Sequence, residues 1–262
     1  MALDIDRYSH FESALQRWDP RIKIASLGVF VFCVALLDSI PLAFTGLGLA
    51  IIFLLLARLP MHFVMHGLEF VIIFLIPFFI VLPLTYPGEP AFHIFGLPFA
   101  WEGLRIATMI VVKAIAVVIS TYAIFGTTRF DVSMIALQRL RCPSMLVQMF
   151  LFTYRFIFVF IDEMKRMDTA MKARGFIKRV DMKTMTTVGN FIGTLLVRSF
   201  ERTERVYKAM LSKGYTGEFH TLREFRSTMR DWVKAVLILG VAIGLTYVDF
   251  VGFFPAAEAA WF

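Results

Sequence analysis

Apolar residues run through this chain in long blocks separated by short polar turns. After a polar stretch over residues 1–21, the first block extends from Ile22 to Leu37, and Asp38-Ser39-Ile40-Pro41 turns the chain. A second block, Leu42 to Leu59, returns, with Arg58 at its end and His62 and His66 after it. The third, about Leu68 to Leu84, contains Pro77 and Pro83, which helices in a bilayer tolerate better than soluble ones. Residues 85–103 carry no Lys or Arg, only Glu89 and Glu102 with Gly and Pro, and read as a loop. A fourth block runs from about Leu104 to Phe125, and the last from Val233 to Phe254. Blocks of this length suit membrane-spanning helices.

Between the last two blocks the pattern changes. Met145 to Ile161 is apolar, but from Ile157 the spacing of Ile157, Phe160, Ile161, Met164, Met167 and Met171 is that of one helix face. Charges on the opposite face fall four residues apart, Asp162 with Arg166 and Asp168 with Lys172. Asp181 is placed to cap a second helix. Its stripe is Val188, Ile192, Leu195, Val206 and Met210, and it repeats the charge spacing with Glu201–Arg205 and Glu204–Lys208. Two long amphipathic helices of this kind lie in a membrane interface or dock a partner.

The two helices also share an ending. Ala170-Met171-Lys172-Ala173-Arg174-Gly175-Phe176 is echoed 39 positions later by Ala209-Met210-Leu211-Ser212-Lys213-Gly214-Tyr215, with Arg166 and Arg205 each four residues ahead of the Ala. Gly followed by an aromatic is the signature of a Schellman helix end, and a basic residue in the last turn suits the helix dipole. Capping explains Gly, aromatic and charge together, and leaves the shared Ala-Met unexplained.

Composition agrees with the block pattern: 58% of the 262 residues are hydrophobic, 29 are Phe, and mean hydropathy is +0.72. These values predict an all-α, polytopic helical membrane protein with about five transmembrane helices plus the amphipathic pair. The expected organisation is residues 1–126 for the first four spans, 127–231 for a basic cytoplasmic segment of amphipathic helices and 232–262 for the last span. Residues 127–231 hold 19 Lys/Arg against 10 Asp/Glu, so positive charge places this stretch and the N-terminus on the cytoplasmic side, with the Asp38 turn, the 85–103 loop and Glu258 outside. If 145–161 crossed, 15 of those cations would be exported and Arg155 would sit near mid-bilayer at about 2.5–3.5 kcal/mol. That segment is therefore expected in or dipping into the inner leaflet, and a six-span arrangement is the alternative. The first 21 residues lack the apolar core of a cleavable signal.

Candidate chemistry is sparse. There is no phosphate-binding Gly-x-x-x-x-Gly-Lys-Ser/Thr loop, no His-Glu-x-x-His helix and no nucleophile elbow, and enzyme function is not expected. Cys33 and Cys142 form neither a disulfide framework nor a metal pattern. His62, His66 and Glu69 share a helical face and are the weak candidates for metal ligands. Lys113 lies within a span, where an ionisable group is functional or snorkelling. Gly240-x-x-x-Gly244 would allow close helix packing. Nucleic acid is not expected, because a membrane-proximal cytoplasmic face is basic anyway.

Asp6-Arg7-Tyr8, Asp19-Pro20-Arg21-Ile22-Lys23, the run from Arg198-Ser199-Phe200-Glu201-Arg202-Thr203-Glu204-Arg205-Val206-Tyr207 and then Gly214-Tyr215-Thr216-Gly217 extend the pattern across nearly the whole chain. The chain resembles the transmembrane T component of energy-coupling factor transporters, in the CbiQ-like branch attached to cobalt and nickel uptake. The resemblance implies a bacterial or archaeal cytoplasmic-membrane protein without a cofactor of its own. ATP would sit on two partner ATPase subunits, docked by Ala173-Arg174-Gly175 and Ser212-Lys213-Gly214. Lys213 stands where the usual motif has Arg, so the second dock is expected either to be weaker or to lean on neighbouring Arg202 and Arg205. A separate small membrane subunit would bind the ion and rest on Met149, Phe152, Phe156, Phe160, Val188, Ile192 and Leu195. A T component for a vitamin and a stand-alone metal permease using His62, His66, Glu69 and Lys113 are the alternatives.

Overall fold

Proline and capping residues set the first helix. In the computed structural model, which describes residues 13, 15, 16, 18–85, 90–94, 97–217, 225 and 227–252, Asp19 accepts the Arg21 backbone N–H at 2.9 Å and Pro20 opens helix α1, Pro20–Leu36. Pro is at home there because the first helical N–H groups have no intrahelical partner. Helix α2 covers Ile40–Ala57, and α3 runs from Met61 to Leu75. The third block is broken at Pro77, which has no N–H to continue the ladder, and α4, Phe78–Thr85, restarts with Val81 N–H donating to the Pro77 carbonyl at 2.8 Å. Within the stretch expected as loop, β1, Pro90–Ile94, and β2, Leu97–Ala100, pair antiparallel with Ile94 opposite Leu97. Then follow α5, Trp101–Phe125, α6, Phe130–Arg139, α7, Ser144–Ala173, α8, Met182–Ser212, and α9, Met229–Phe250. Asp6-Arg7-Tyr8, Glu89 and Glu258 lie outside the described residues.

Among the described residues five helical stretches are long and apolar enough to cross a membrane: Ile40–Ala57, Met61–Thr85, Trp101–Phe125, Ser144–Ala173 and Met229–Phe250. The expected five differ by one member. α1 has 17 residues, about 26 Å at 1.5 Å per residue, at the lower limit of a span. α7, expected at the inner leaflet, meets the criterion of length and composition through its apolar first half.

The described chain divides into two compact units, Leu137–Glu224 and Asp6–Ala136 with Phe225–Phe262. Residues 127–136 and 225–231, expected with the basic cytoplasmic segment, thus group with the membrane helices. Local contacts give the reason. The Lys23 amine is fully buried and donates to the hydroxyls of Thr127 and Thr128 and, at 3.5 Å, to the Leu15 carbonyl. Arg21 is held by Asp19 through paired bonds of 3.2 and 2.8 Å, reaches the Phe225 carbonyl at 3.3 Å and lies over its ring. Asp231 accepts the Thr228 N–H at 3.1 Å and is itself buried, which starts α9 four residues before the expected Val233.

In this membrane unit α5 packs against α1, α2, α3 and α4, and α1 packs against α9. The seam of α2 is Ala43, Gly46, Ala50, Leu54 and Ala57, and that of α5 includes Ala107, Ala116, Ser120 and Ala123. Small residues at helical spacing bring the backbones close, where dispersion and not water exclusion drives association in lipid. Gly103 marks the tightest approach to neighbouring backbone, since a Cβ there would meet the Leu82 carbonyl oxygen and Pro83 Cα at 2.5 Å. Gly240 and Gly244 do not pack: the buried stripe of α9 is Ala235, Ile238 and Ala242, and both glycines face open space. The Asp249 carboxylate accepts the backbone N–H groups of Asp38 (2.7 Å) and Ser39 (3.1 Å), closing the α1–α2 turn onto α9.

Candidate functional site

α7 and α8 belong to one unit and carry the repeated endings. α7 is apolar up to Ile161 and charged beyond it. Lys172 pairs with Asp168 at 2.6 Å and Lys208 with Glu204 at 2.9 Å, as their four-residue spacing predicts. Asp162 instead meets Lys165, at 3.9 Å and three residues away, and among the described residues Glu201 and Arg205 form no such pair. Exposed ion pairs are weak enough for rotamer preference to choose between neighbours. Asp181 occupies the N-cap of α8 but its side chain makes no capping hydrogen bond.

The two endings are the same motif atom by atom. At the end of α7 the Phe176 N–H donates to the Met171 carbonyl at 3.1 Å and the Gly175 N–H to that of Lys172 at 3.0 Å. At the end of α8 the Tyr215 N–H donates to Met210 at 3.1 Å and the Gly214 N–H to Leu211 at 3.0 Å. These are the two bonds of a Schellman ending. Gly175 and Gly214 have φ of +81° and +82°, and a Cβ on either would meet nothing within 4 Å. Backbone conformation, not space, demands glycine at both. Arg174 and Lys213 are the C-caps, with φ, ψ of −88°, 12° and −95°, 13°. Ala173, Arg174, Gly175, Ser212, Lys213 and Gly214 are all exposed. Each cap therefore presents one cation at the negative end of a helix dipole, on backbone whose own hydrogen bonds are satisfied.

Two bridges set the helices antiparallel. Arg198 Nη1 donates to Glu163 Oε1 at 2.5 Å, with Glu163 largely covered. Near the start of α7, buried Gln148 donates to the Gly217 carbonyl at 3.0 Å and accepts from the Tyr215 hydroxyl at 2.5 Å. The tail of the second cap is thus fastened beside the beginning of α7, while the first cap stands at its end. From Gln148 to Arg174 is 26 residues of helix, about 39 Å at 1.5 Å per residue. The two basic caps are far apart, at opposite ends of one helix pair. Gln148 carried no signal in the sequence, because an uncharged residue in an apolar run looks like any other near a span end.

Around the bridge, Phe156, Val159 and Phe160 of α7 and Arg202 and Arg205 of α8 line a cleft with Glu163 and Arg198. Arg205 precedes Lys213 by eight residues, about 12 Å along the helix. Both arginines line the cleft, about one to two helical turns beyond Arg198 toward the second cap. Of the apolar contact residues, Met149, Val188 and Ile192 are exposed, Phe152, Phe156 and Phe160 half-buried, and Leu195 is 7% exposed. Leu195 serves packing, and the outer face of α8 continues through Leu196 and Phe200, both exposed.

In the other unit, His62, His66 and Glu69 line an open face of α3, with His66 Nδ1 3.5 Å from Glu69 Oε2. Among the described residues no three His, Cys, Asp or Glu side chains converge to hold a metal ion. Lys113 Nζ stands 3.7 Å from the Asp38 carboxylate, a short-range use of its charge at the α1–α2 turn.

Residues 11–222 match the profile of the family CbiQ, described as cobalt transport protein. An uncharacterized protein of Methanocaldococcus jannaschii is 28% identical over 230 residues, 84% of this chain and 77% of that one. The energy-coupling factor transporter transmembrane protein EcfT of Heliobacterium modesticaldum is 27% identical over 254 residues, 92% of this chain and 95% of its own. The cobalt transport protein CbiQ of Rhodobacter capsulatus is 29% identical over 128 residues, 48% of this chain and 52% of its own. With most of its length matched to one profile, and with long apolar helices carrying a doubled basic cap, the chain belongs to the CbiQ family of cobalt transport proteins, the T components of energy-coupling factor transporters.

Proposed function

We propose that this chain is the coupling subunit of an importer for cobalt or nickel ions, carrying the closure of two ATPase subunits to a separate ion-binding membrane subunit. The observation that carries this reading is the pair of matching caps, each offering one exposed cation on a hydrogen-bonded helix end, about 39 Å apart along α7. Two equal partners, each receiving one cap, account for a doubled motif at that separation. Arg174 offers a planar fork to a carboxylate on its partner, and Lys213 a point charge, so the first contact is the more directional.

Movement of one cap is delivered along a rigid helix. Drawing the partners together moves both helices, and the Glu163–Arg198 bridge and the Gln148 anchor make the pair respond as a unit. The exposed apolar residues Met149, Val188, Ile192, Leu196 and Phe200 supply the surface on which the ion-binding subunit rides. ATP resides on the partners and the ion on the third subunit. The basic charge of residues 127–231 puts the caps and the N-terminus on the cytoplasmic side.

The test is capture of the tagged chain from its native membrane in mild detergent. An ATP-binding subunit and a small hydrophobic membrane protein should be recovered with it. The double variant Arg174→Glu/Lys213→Glu should lose the ATP-binding subunit and keep its fold. Recovery of an intact complex from that variant refutes the docking role, and metal uptake by vesicles holding this chain alone refutes the coupling role.

A further inference from the structure

The cleft between α7 and α8 has an amphiphilic lining that the coupling reading does not use. Phe156, Val159 and Phe160 give it an apolar lining, and Arg198, Arg202 and Arg205 with Glu163 and Glu201 a charged one. Arg198 is engaged by Glu163, whereas Arg202 and Arg205 pair with no carboxylate among the described residues. Three arginines against two glutamates, Glu163 and Glu201, leave the cleft with one net positive charge.

Its depth is marked by α7 itself. Residues 144–161 carry one charge, Arg155, whereas residues 162–173 carry six, so the helix passes from apolar to polar at Ile161–Asp162. Phe156 and Phe160 lie just on the apolar side of that step, and Glu163 just on the polar side. With that apolar half lying along the inner leaflet and amphipathic α8 beside it, the seam falls at the headgroup level, where guanidinium groups meet phosphate and acyl chains meet aromatic rings.

We propose that this cleft binds the headgroup of one anionic phospholipid, its phosphodiester held by Arg202 and Arg205 and its upper acyl chain resting on Phe156 and Phe160. A single phosphodiester cancels the net charge of the lining. Arginine suits it because a planar fork meets two phosphate oxygens at once. The lipid would sit across the α7–α8 seam beside the Glu163–Arg198 bridge, so its occupancy would tune how stiffly the two helices move together. The inference rests on the apolar half of α7 lying in the inner leaflet, not on the ATPase docking.

The experiment is native mass spectrometry of the full chain released from micelles containing equal phosphatidylglycerol and phosphatidylcholine. The wild-type protein should retain one phosphatidylglycerol in preference to phosphatidylcholine. Arg202→Gln/Arg205→Gln should reduce that retention by about tenfold or more, two charge-assisted contacts being lost, and Arg202→Lys/Arg205→Lys should restore part of it. Arg174→Gln/Lys213→Gln should leave it unchanged, which separates this site from the caps. Equal retention of the two lipids by the wild-type protein overturns the proposal, and this comparison decides even where a variant fails to fold. So does retention that survives the double glutamine change, or displacement of the lipid by added inorganic phosphate, which would mark a plain anion site. If the glutamine variant keeps its lipid and loses the ATP-binding subunit, the arginines belong to an acidic segment of that partner.

Discussion

Each cap combines a backbone turn with a charge, and two substitutions one residue apart separate them. Arg174 contributes to the turn only its backbone N–H, which meets the carbonyls of Ala170 at 3.2 Å and Met171 at 3.1 Å. Arg174→Gln keeps that group and removes the cation. The helix end should lose only the dipole contribution, about 0.3–1 kcal/mol at an exposed site. A partner carboxylate would lose a charge-assisted contact of about 1.5–3 kcal/mol, which weakens binding by about 10- to 150-fold. Gly175→Ala does the reverse. Its Cβ meets nothing within 4 Å, so the cost is that of φ +81° for an L-residue, about 1–2 kcal/mol. That cost should appear as a rise of about 5- to 30-fold in amide exchange at Phe176, whose N–H closes the motif on Met171. The assay pairs binding to an immobilised ATP-binding subunit with hydrogen exchange read by mass spectrometry. Arg174→Gln binding as tightly as wild type, or losing protection at Phe176 as fully as Gly175→Ala, would refute the division of labour between charge and turn.

Two more expectations concern the scaffold. Gly103→Ala would drive a methyl to 2.5 Å from the Leu82 carbonyl and Pro83 Cα, backbone atoms that cannot rotate away; a loss of about 1–3 kcal/mol is expected, read as a lowered unfolding temperature, while Gly240→Ala, facing open space, should leave it unchanged. Gln148→Leu removes the acceptor for the Tyr215 hydroxyl and the donor to the Gly217 carbonyl, so amide exchange should quicken over residues 214–217 and not at 174–176. Equal change at both caps would show that the anchor is not local.

The identification of this chain rested on features written locally. Apolar block length, the proline break and the glycine–aromatic ends each depend on residues a few positions apart, and four of the five expected spans and both caps follow from them. Even so, Leu195, a member of the apolar stripe that the resemblance assigned to a partner-subunit contact, is buried within the chain. Local spacing also promoted Gly240 and Gly244, whose spacing permits close packing while the alanine stripe of α9 performs it.

What tertiary structure decided lies between residues distant in sequence. Lys23 looked like one more cation in a basic opening, yet its amine is buried against Thr127 and Thr128, over a hundred positions on. Asp249 looked like a polar end of the last span, and it closes the Asp38 turn 211 residues away. Gln148 joins α7 to the tail of the second cap across 69 positions. In an apolar solvent such polar groups must find partners within the protein, but no pattern along the chain states which partner each one finds. Sequence alone determined that two helices end in identical basic caps. Their placement at opposite ends of one antiparallel pair came only from the fold, because it depends on side chains meeting across the seam.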